Sequence, residues 1–292
     1  MKVYSIFPFA VAAIITATPA FAQVSQDADA EPFTGIYVGG SIGYDAQPND
    51  VGSSILFDRN LDGTFGEPVN TIGGANAFAP GFCNGAARTQ VPTNGCRNDH
   101  DDISYYGRVG LDKQIGLGGG SFLIGALAEF GTSKITDSVS GFSSTPASYI
   151  LTRSVNLEGT ASGRVGFVAD QTLFYGRFGG GYAKIKHAFS TTNTANAFAG
   201  NGNDKVWGYV AGGGLEQKIA RNISIGLEYT FHNYKDDNYR VRATAGSSIA
   251  GSPVLLANNP FLIAPNTAGT DFARSDTNFR WHSVRATAAL RF

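Results

Sequence analysis

The sequence predicts an all-β fold: a transmembrane antiparallel up-and-down β-barrel of eight strands with long extracellular loops. Three observations predict it. First, Trp281–Phe292 alternates without a break. His282, Val284, Ala286, Ala288, Leu290 and Phe292 share one face, while Ser283, Arg285, Thr287 and Arg291 share the other. An apolar stripe with arginines behind it suits a wall between lipid and a polar lumen. Second, beyond the N-terminal region no apolar run reaches the ~18 residues of a helical span. A bilayer crossing must then be a closed barrel, because lipid offers nothing to unpaired backbone groups. Third, the alternating segments are joined by tight and long connectors in turn, as short periplasmic turns and long extracellular loops would require.

The N-terminus fits export. Lys2 precedes the apolar run Val3–Ala22, which closes on Ala20-Phe21-Ala22, an A-x-A cleavage pattern. We expect residues 1–22 to be a signal peptide, 23–32 an acidic spacer and 33–292 the barrel. Glycine is abundant, 38 of 292 or about 13% against a usual ~7%. Leu and Met are scarce, which disfavours helices. The net charge is −1 with no basic block, so nucleic acid is not an expected partner. In an exported chain the two cysteines, Cys83 and Cys96, are expected to form a disulfide. As a metal pair they would have only His100 nearby.

The strands follow in order. The first, about Phe33–Tyr44, turns Ile36, Val38, Gly40, Ile42 and Tyr44 outward. A long polar stretch, 45–101, separates it from the second, Asp102–Ile115. The tight connector Gly116–Gly120 leads to the third, Ser121–Thr136, and Asp137–Ile150 reads as a medium loop. The fourth, Leu151–Ala169, shows Val155, Leu157, Ala161, Val165 and Phe167 outward. Asp170-Gln171 turns tightly into the fifth, Thr172–His187. After the loop Ala188–Asp204 comes the sixth, Lys205–Ile219, then a tight turn at Ala220–Asn222 and the seventh, Ile223–Lys235. The stretch 236–280 is long and irregular, and the eighth strand ends the sequence.

Behind the apolar stripes lie Arg108, Asp112, Glu129, Glu158, Arg164, Arg177, Glu216, Lys218, Glu228, Arg285 and Arg291. The interior of an eight-stranded barrel is just wide enough for side chains. Lone buried charges cost several kcal/mol. The balance of signs therefore predicts a salt-bridged plug. The mid-strand runs Gly179–Gly181 and Gly212–Gly214 do not open helices, so they suit close packing in a narrow barrel rather than nucleotide binding.

Phe33-Thr34-Gly35-Ile36-Tyr37-Val38-Gly39-Gly40-Ser41-Ile42-Gly43-Tyr44 resembles the opening strand of the Gram-negative outer-membrane β-barrel surface antigens, the outer membrane immunogenic protein and opacity-type group. The Gly-rich segments Tyr175–Tyr182 and Tyr209–Leu215 and the final Arg291-Phe292 add to the resemblance. It covers the strands and leaves out the two long loops. It implies an outer-membrane location, antigenic or adhesive loops, and Phe292 as the signal read by the barrel-assembly machinery. Some members of the group are small porins or haemin binders.

Basic residues gather at the loop ends of the strands: Lys134, Arg153, Lys184, Lys186, Lys205, Lys235 and Arg280, with Arg240 and Arg242 just above. At that depth they would meet the phosphates of lipopolysaccharide. In the first long loop Asp58, Asn60, Asp62 and Gly63 fit positions one, three, five and six of a calcium loop. Position twelve is Val69, however, and a polar turn is the ordinary reading. His100, His187, His232 and His282 all fall in the extracellular half, as rim residues or as ligands for haem or a metal. His282 and Ser283 are adjacent and so face opposite ways, which does not suit a serine hydrolase. The expectation is a non-enzymatic surface barrel with a role in envelope integrity, whose loops meet host molecules. The alternative is a small porin or a haemin-binding protein. No cofactor is expected beyond calcium.

Overall fold

The computed structural model describes residues 32–48, 53–116, 120–264 and 267–292. The expected signal peptide, most of the spacer and the centre of the Gly116–Gly120 connector lie outside the described residues. The strands are β1 (Gly35–Ala46), β2 (Ile55–Asp58), β3 (Gly81–Asn84), β4 (Ala86–Ala87), β5 (Cys96–Arg97), β6 (Asp102–Gly116), β7 (Ser121–Ser133) and β8 (Thr136–Ser143). They continue as β9 (Ala147–Ala169), β10 (Thr172–Thr191), β11 (Asn196–Gly200), β12 (Asp204–Ala220), β13 (Ile223–Lys235) and β14 (Val241–Ala245). A short helix α1 (Pro253–Ala257) precedes β15 (Thr270–Arg274) and β16 (Asn278–Arg291).

Eight of these strands close a ring. Its order is β1, β6, β7, β9, β10, β12, β13 and β16, with β16 returning antiparallel to β1 through Tyr37↔Arg291 to Ala46↔His282. Closure leaves no edge strand, which a hydrocarbon solvent demands. The eight are the strands expected from the alternation. Their outward positions stay exposed, Ile42 at 59%, Phe130 at 61% and Phe178 at 66%, although each is a residue type usually buried in a water-soluble fold.

The glycines serve the packing inside. A Cβ on Gly110 would lie 2.2 Å from the Tyr37 ring, and one on Gly181 would lie 2.0 Å from the Tyr234 hydroxyl. Large aromatics therefore cross the lumen over bare backbone. At the Asp170-Gln171 turn, Asp170 takes a left-handed conformation, φ +52°, a region Asp tolerates better than most residues.

The segments expected to be loops are different. Strands β9 and β10 run for 23 and 20 residues, about twice the ~9–11 needed to cross the bilayer, so their extracellular ends stand clear of it. There β9 pairs with β8, and β8 with β3, so the expected medium loop 137–150 is mostly strand. A second sheet, β11-β14-β15-β2, draws its strands from three of the connectors. The two sheets share one buried apolar cluster that includes Ile55, Phe57, Phe78, Val139, Tyr149, Leu151, Val241, Phe261 and Phe272. The long connectors thus fold into an extracellular cap with its own core. The Cys83–Cys96 disulfide, Cα atoms 6.2 Å apart, ties β3 to β5 in this cap.

One expected face is reversed. The β9–β10 register passes from Leu157↔Lys184 to Val155↔Ile185, leaving Asn156 as an extra residue in a β-bulge. A bulge moves every residue beyond it to the opposite face. Val155, expected to face lipid, is 4% exposed, and Arg153, expected on the lipid rim, is fully buried.

Candidate functional site: sealed lumen, neck and rim

The lumen is filled in layers. At the periplasmic end Phe33, Leu123, Val168, Leu173 and Tyr175 form an apolar floor. Next, two arginines and two carboxylates alternate. Arg164 lies 3.0 Å from both Asp112 and Glu216, and Arg291 lies 3.0 Å from Asp112 and 2.6 Å from Glu216. A second square follows. Arg108 meets Glu129 at 3.2 Å and Glu228 at 2.8 Å, and Arg177 meets the same pair at 2.5 and 3.0 Å. The Tyr175 hydroxyl also donates to Glu228 at 2.7 Å.

Above the squares Glu158 accepts from the Tyr106 hydroxyl at 2.5 Å, from the Tyr234 hydroxyl, and pairs with His232 Nδ1 at 2.7 Å. The Arg285 guanidinium stacks on the Tyr106 ring, 4.0 Å from its centroid. Asp45 accepts from the Ser104 hydroxyl at 2.7 Å and from the Ser283 hydroxyl. An apolar ceiling of Ile135, Val155, Ala183, Ile185, Val206, Phe279 and Trp281 closes the stack. The eleven charges expected behind the stripes, Arg108, Asp112, Glu129, Glu158, Arg164, Arg177, Glu216, Lys218, Glu228, Arg285 and Arg291, are all 9% exposed or less. Side chains lining a water-filled channel would stay wet.

A neck of charges joins barrel to cap. Arg153 meets Asp137 at 2.6 Å, Asp276 at 3.2 Å and Asp236 at 3.4 Å, and covers the Phe279 ring at 4.8 Å. Arg274 meets the other Asp137 oxygen at 2.6 Å. His187 lies 3.0 Å from Asp236 and stacks on Tyr239 with centroids 4.1 Å apart. Burial works to raise the Asp137 carboxyl, but Arg153 and Arg274 outweigh it and hold it below the usual range. Asp99 accepts the Ser138 N–H at 2.7 Å. Burial, then the nearby Asp137 charge, pushes its carboxyl up to about 7.

The rim is uneven. Lys184 and Lys205 are direct cross-strand partners on the outer face, and Lys186 lies two residues beyond Lys184 on the same face. Beneath them the Tyr182 and Trp207 rings meet at a tilt with centroids 4.9 Å apart, and Trp207 is 72% exposed. Among the described residues no carboxylate sits within ion-pair distance of these three lysines. Lys235 pairs with Asp237 at 2.7 Å and Arg280 with Asp276 at 3.6 Å. Lys134 is exposed. Arg242 binds Asp271 and Arg240 lies over the Phe65 ring. An apolar outer wall edged by exposed aromatics, around a closed ring with buried charges, is the inverse of a water-soluble sandwich. The chain is a membrane-spanning β-barrel of the outer-membrane type.

No family model and no curated protein matches this barrel. Among solved structures it is similar to the outer membrane protein OprG from Pseudomonas aeruginosa, at 9% identity and a TM-score of 0.46, with 89% of this chain and 97% of that one covered. It is also similar to Ail, the attachment invasion locus protein of Yersinia pestis, at 11% identity and a TM-score of 0.31, with 89% of this chain and 100% of that one covered. Ail was solved in complex with the heparin analogue sucrose octasulfate.

The four histidines lie in four different settings. His232 is inside the barrel on Glu158, His187 is in the neck on Asp236, His282 is on the outer wall within 2.6 Å of the Tyr229 hydroxyl, and His100 is in a cap connector. Burial of His187 and His232 corrects the rim reading for those two, and the four do not converge on one ligand. Among the described residues no three His, Cys, Asp or Glu side chains come together as a metal centre. Phe292, the expected assembly signal, is 74% exposed.

The sequence reading missed the lumen's aromatic partners, Tyr37, Tyr106, Tyr175 and Tyr234. Tyr106 shares its strand and face with Arg108, Tyr175 with Arg177 and Tyr234 with Glu228, and that parity was the available signal. It also missed the neck, where Asp137, Asp236, Arg274 and Asp276 come from segments without regular alternation.

Proposed function

We propose that this protein is a sealed, non-enzymatic surface barrel of the Gram-negative outer membrane, and that its folded cap is the surface presented to host molecules, phage or antibodies. The supporting observation is the unbroken stack of apolar floor, two ionic squares, Glu158 cluster and apolar ceiling. A chain that spends so many buried charges on filling its lumen gains a stiff pillar rather than a path for solutes. The outward His282 and inward Ser283 do not form a hydrolase pair. The porin alternative is tested by swelling of liposomes that contain the refolded protein, with a small sugar as solute. No swelling above protein-free vesicles is expected, and rapid swelling would replace this reading with the porin one.

The same reading gives Lys184, Lys186 and Lys205 a partner: lipopolysaccharide phosphates. Like charges directly opposite one another destabilise a strand pair, and a phosphate between Lys184 and Lys205 would turn that repulsion into two charge-assisted contacts. Arg153, being inside, takes no part. Replacing the three lysines together by alanine should lower the lipopolysaccharide that co-purifies with the barrel. Unchanged retention would leave them as general interfacial anchors.

A further inference from the structure

The cap carries a second feature, independent of the lumen. The chain leaves β2 at Asp58, turns through Asn60, Leu61, Asp62 and Gly63, and returns at Gly66 and Glu67, whose N–H groups both donate to the Phe57 carbonyl at 2.9 and 3.0 Å. Asp58 begins this loop and is 1% exposed. Its Oδ2 accepts the Gly63 N–H at 2.8 Å across the loop, which sets the carboxylate against the loop interior. Its Oδ1 is shielded from solvent and has no hydrogen-bond partner. A buried carboxylate oxygen without a donor is costly. The nearby cation does not relieve it. Arg242 is committed to Asp271, the cross-strand partner of Asp58, through two bonds of 2.7 and 2.8 Å.

From these observations we propose that residues 58–67 bind one calcium ion, with Asp58, Asn60 and Asp62 as side-chain oxygen donors. Asn60 and Asp62 stand beside it at the exposed face of the loop, where Asn60 Nδ2 donates to Asp62 Oδ2 at 2.9 Å. Asn60 Oδ1 accepts the Asp62 N–H at 2.9 Å, and Asp62 Oδ1 accepts the Thr64 N–H at 2.7 Å. Gly63, at φ +89°, supplies the sharp turn at the sixth place. All donors are hard oxygens with no sulfur or imidazole among them, a set for calcium or magnesium. The irregular loop favours calcium, since magnesium requires near-octahedral order.

The set departs from the usual loop at one point. Position twelve is Val69, and the nearest later acid is Glu67 at position ten, whose Oε2 accepts the Arg59 and Asn60 N–H groups at 2.6 and 3.1 Å. Glu67 therefore supplies charge at the loop mouth in place of a bidentate ligand. So few charges place the affinity with extracellular calcium modules, a Kd of about 10⁻⁴–10⁻³ M.

The test uses the full chain refolded in detergent and stripped of divalent ions, titrated with calcium chloride by calorimetry. One calcium per chain in that affinity range is expected, with weaker heat from magnesium chloride. Asp62 is exposed, so Asp62→Asn should keep the fold, checked by heat-modifiable gel migration, and weaken calcium by roughly tenfold or more. Asn60→Asp adds a carboxylate and should tighten it. Calcium should also slow trypsin cleavage after Arg59 in the parent chain but not in Asp62→Asn. No saturable calcium signal would overturn the proposal. So would calcium binding that Asp62→Asn leaves unchanged, the mark of adventitious binding only.

Discussion

Arg285 and Phe272 are both fully buried, one in the barrel and one in the cap. Phe178 is 66% exposed on the barrel wall, while in the cap Asp62 and Asn60 face water. The two regions sort the same residue types in opposite directions. The wall meets hydrocarbon, so its apolar side chains point out and its charges turn inward and pair. The cap meets water, so aromatics from its two sheets collect in a core, while Asp62 and Arg242 stay at the surface and Asp58 and Asp271 are buried beneath them. The neck around Arg153 is where one rule gives way to the other, and the bulge at Asn156 makes the switch by exchanging the faces of β9.

The comparison can be broken from the barrel side first. Glu228→Ala removes the common acceptor of Arg108, Arg177 and the Tyr175 hydroxyl. Unpairing buried charges costs about 3–5 kcal/mol, so urea unfolding of the barrel should shift by that much while protease resistance of the cap holds. A shift of a few tenths would mean that the squares are hydrated and not stabilising. From the cap side, Phe272→Ala should cost about 3–4 kcal/mol through a cavity in the aromatic cluster. Hydrogen exchange should quicken in β2, β14 and β15, and the barrel should keep its heat-modifiable migration. Loss of both together would show one cooperative unit instead of two.

Replacing both Cys83 and Cys96 by serine should loosen the cap alone, by about 3 kcal/mol on the loop-closure estimate. Exchange should rise around β3 and β5. The smallest effect is a pH dependence in the neck. Asp99 has a folded pKa of about 7, above its unfolded value, so its contribution is fullest at acid pH and is lost as pH rises through 7. Asp137, held low, contributes above its unfolded pKa and loses that only in strong acid. Asp99→Asn keeps the acceptor for Ser138 and should flatten the fall in cap stability between pH 5 and 8. A curve with unchanged slope would remove Asp99 as its source.

How much of this was legible follows from the same contrast. In the wall, a strict two-residue period sets each side chain's solvent, so β1, β6, β7, β13 and β16 and all eleven luminal charges could be read from alternation. Arg153 could not, because one inserted residue, Asn156, shifts the period without a sequence mark. The cap was hidden for another reason. Strands such as β2 and β15 span only four or five residues, and their partners are far away in sequence. Asp271 pairs with Asp58, and nothing local to either announces it. Cys83 and Cys96 were readable because export and proximity are both written in the sequence.

The central claim is that the lumen is a packed pillar and not a path. Single-channel recording of the refolded barrel in a planar bilayer tests it most directly. The layered lumen predicts silence in the parent chain. Steady, discrete conductance would contradict it and would make the luminal arginines and carboxylates the lining of a water channel.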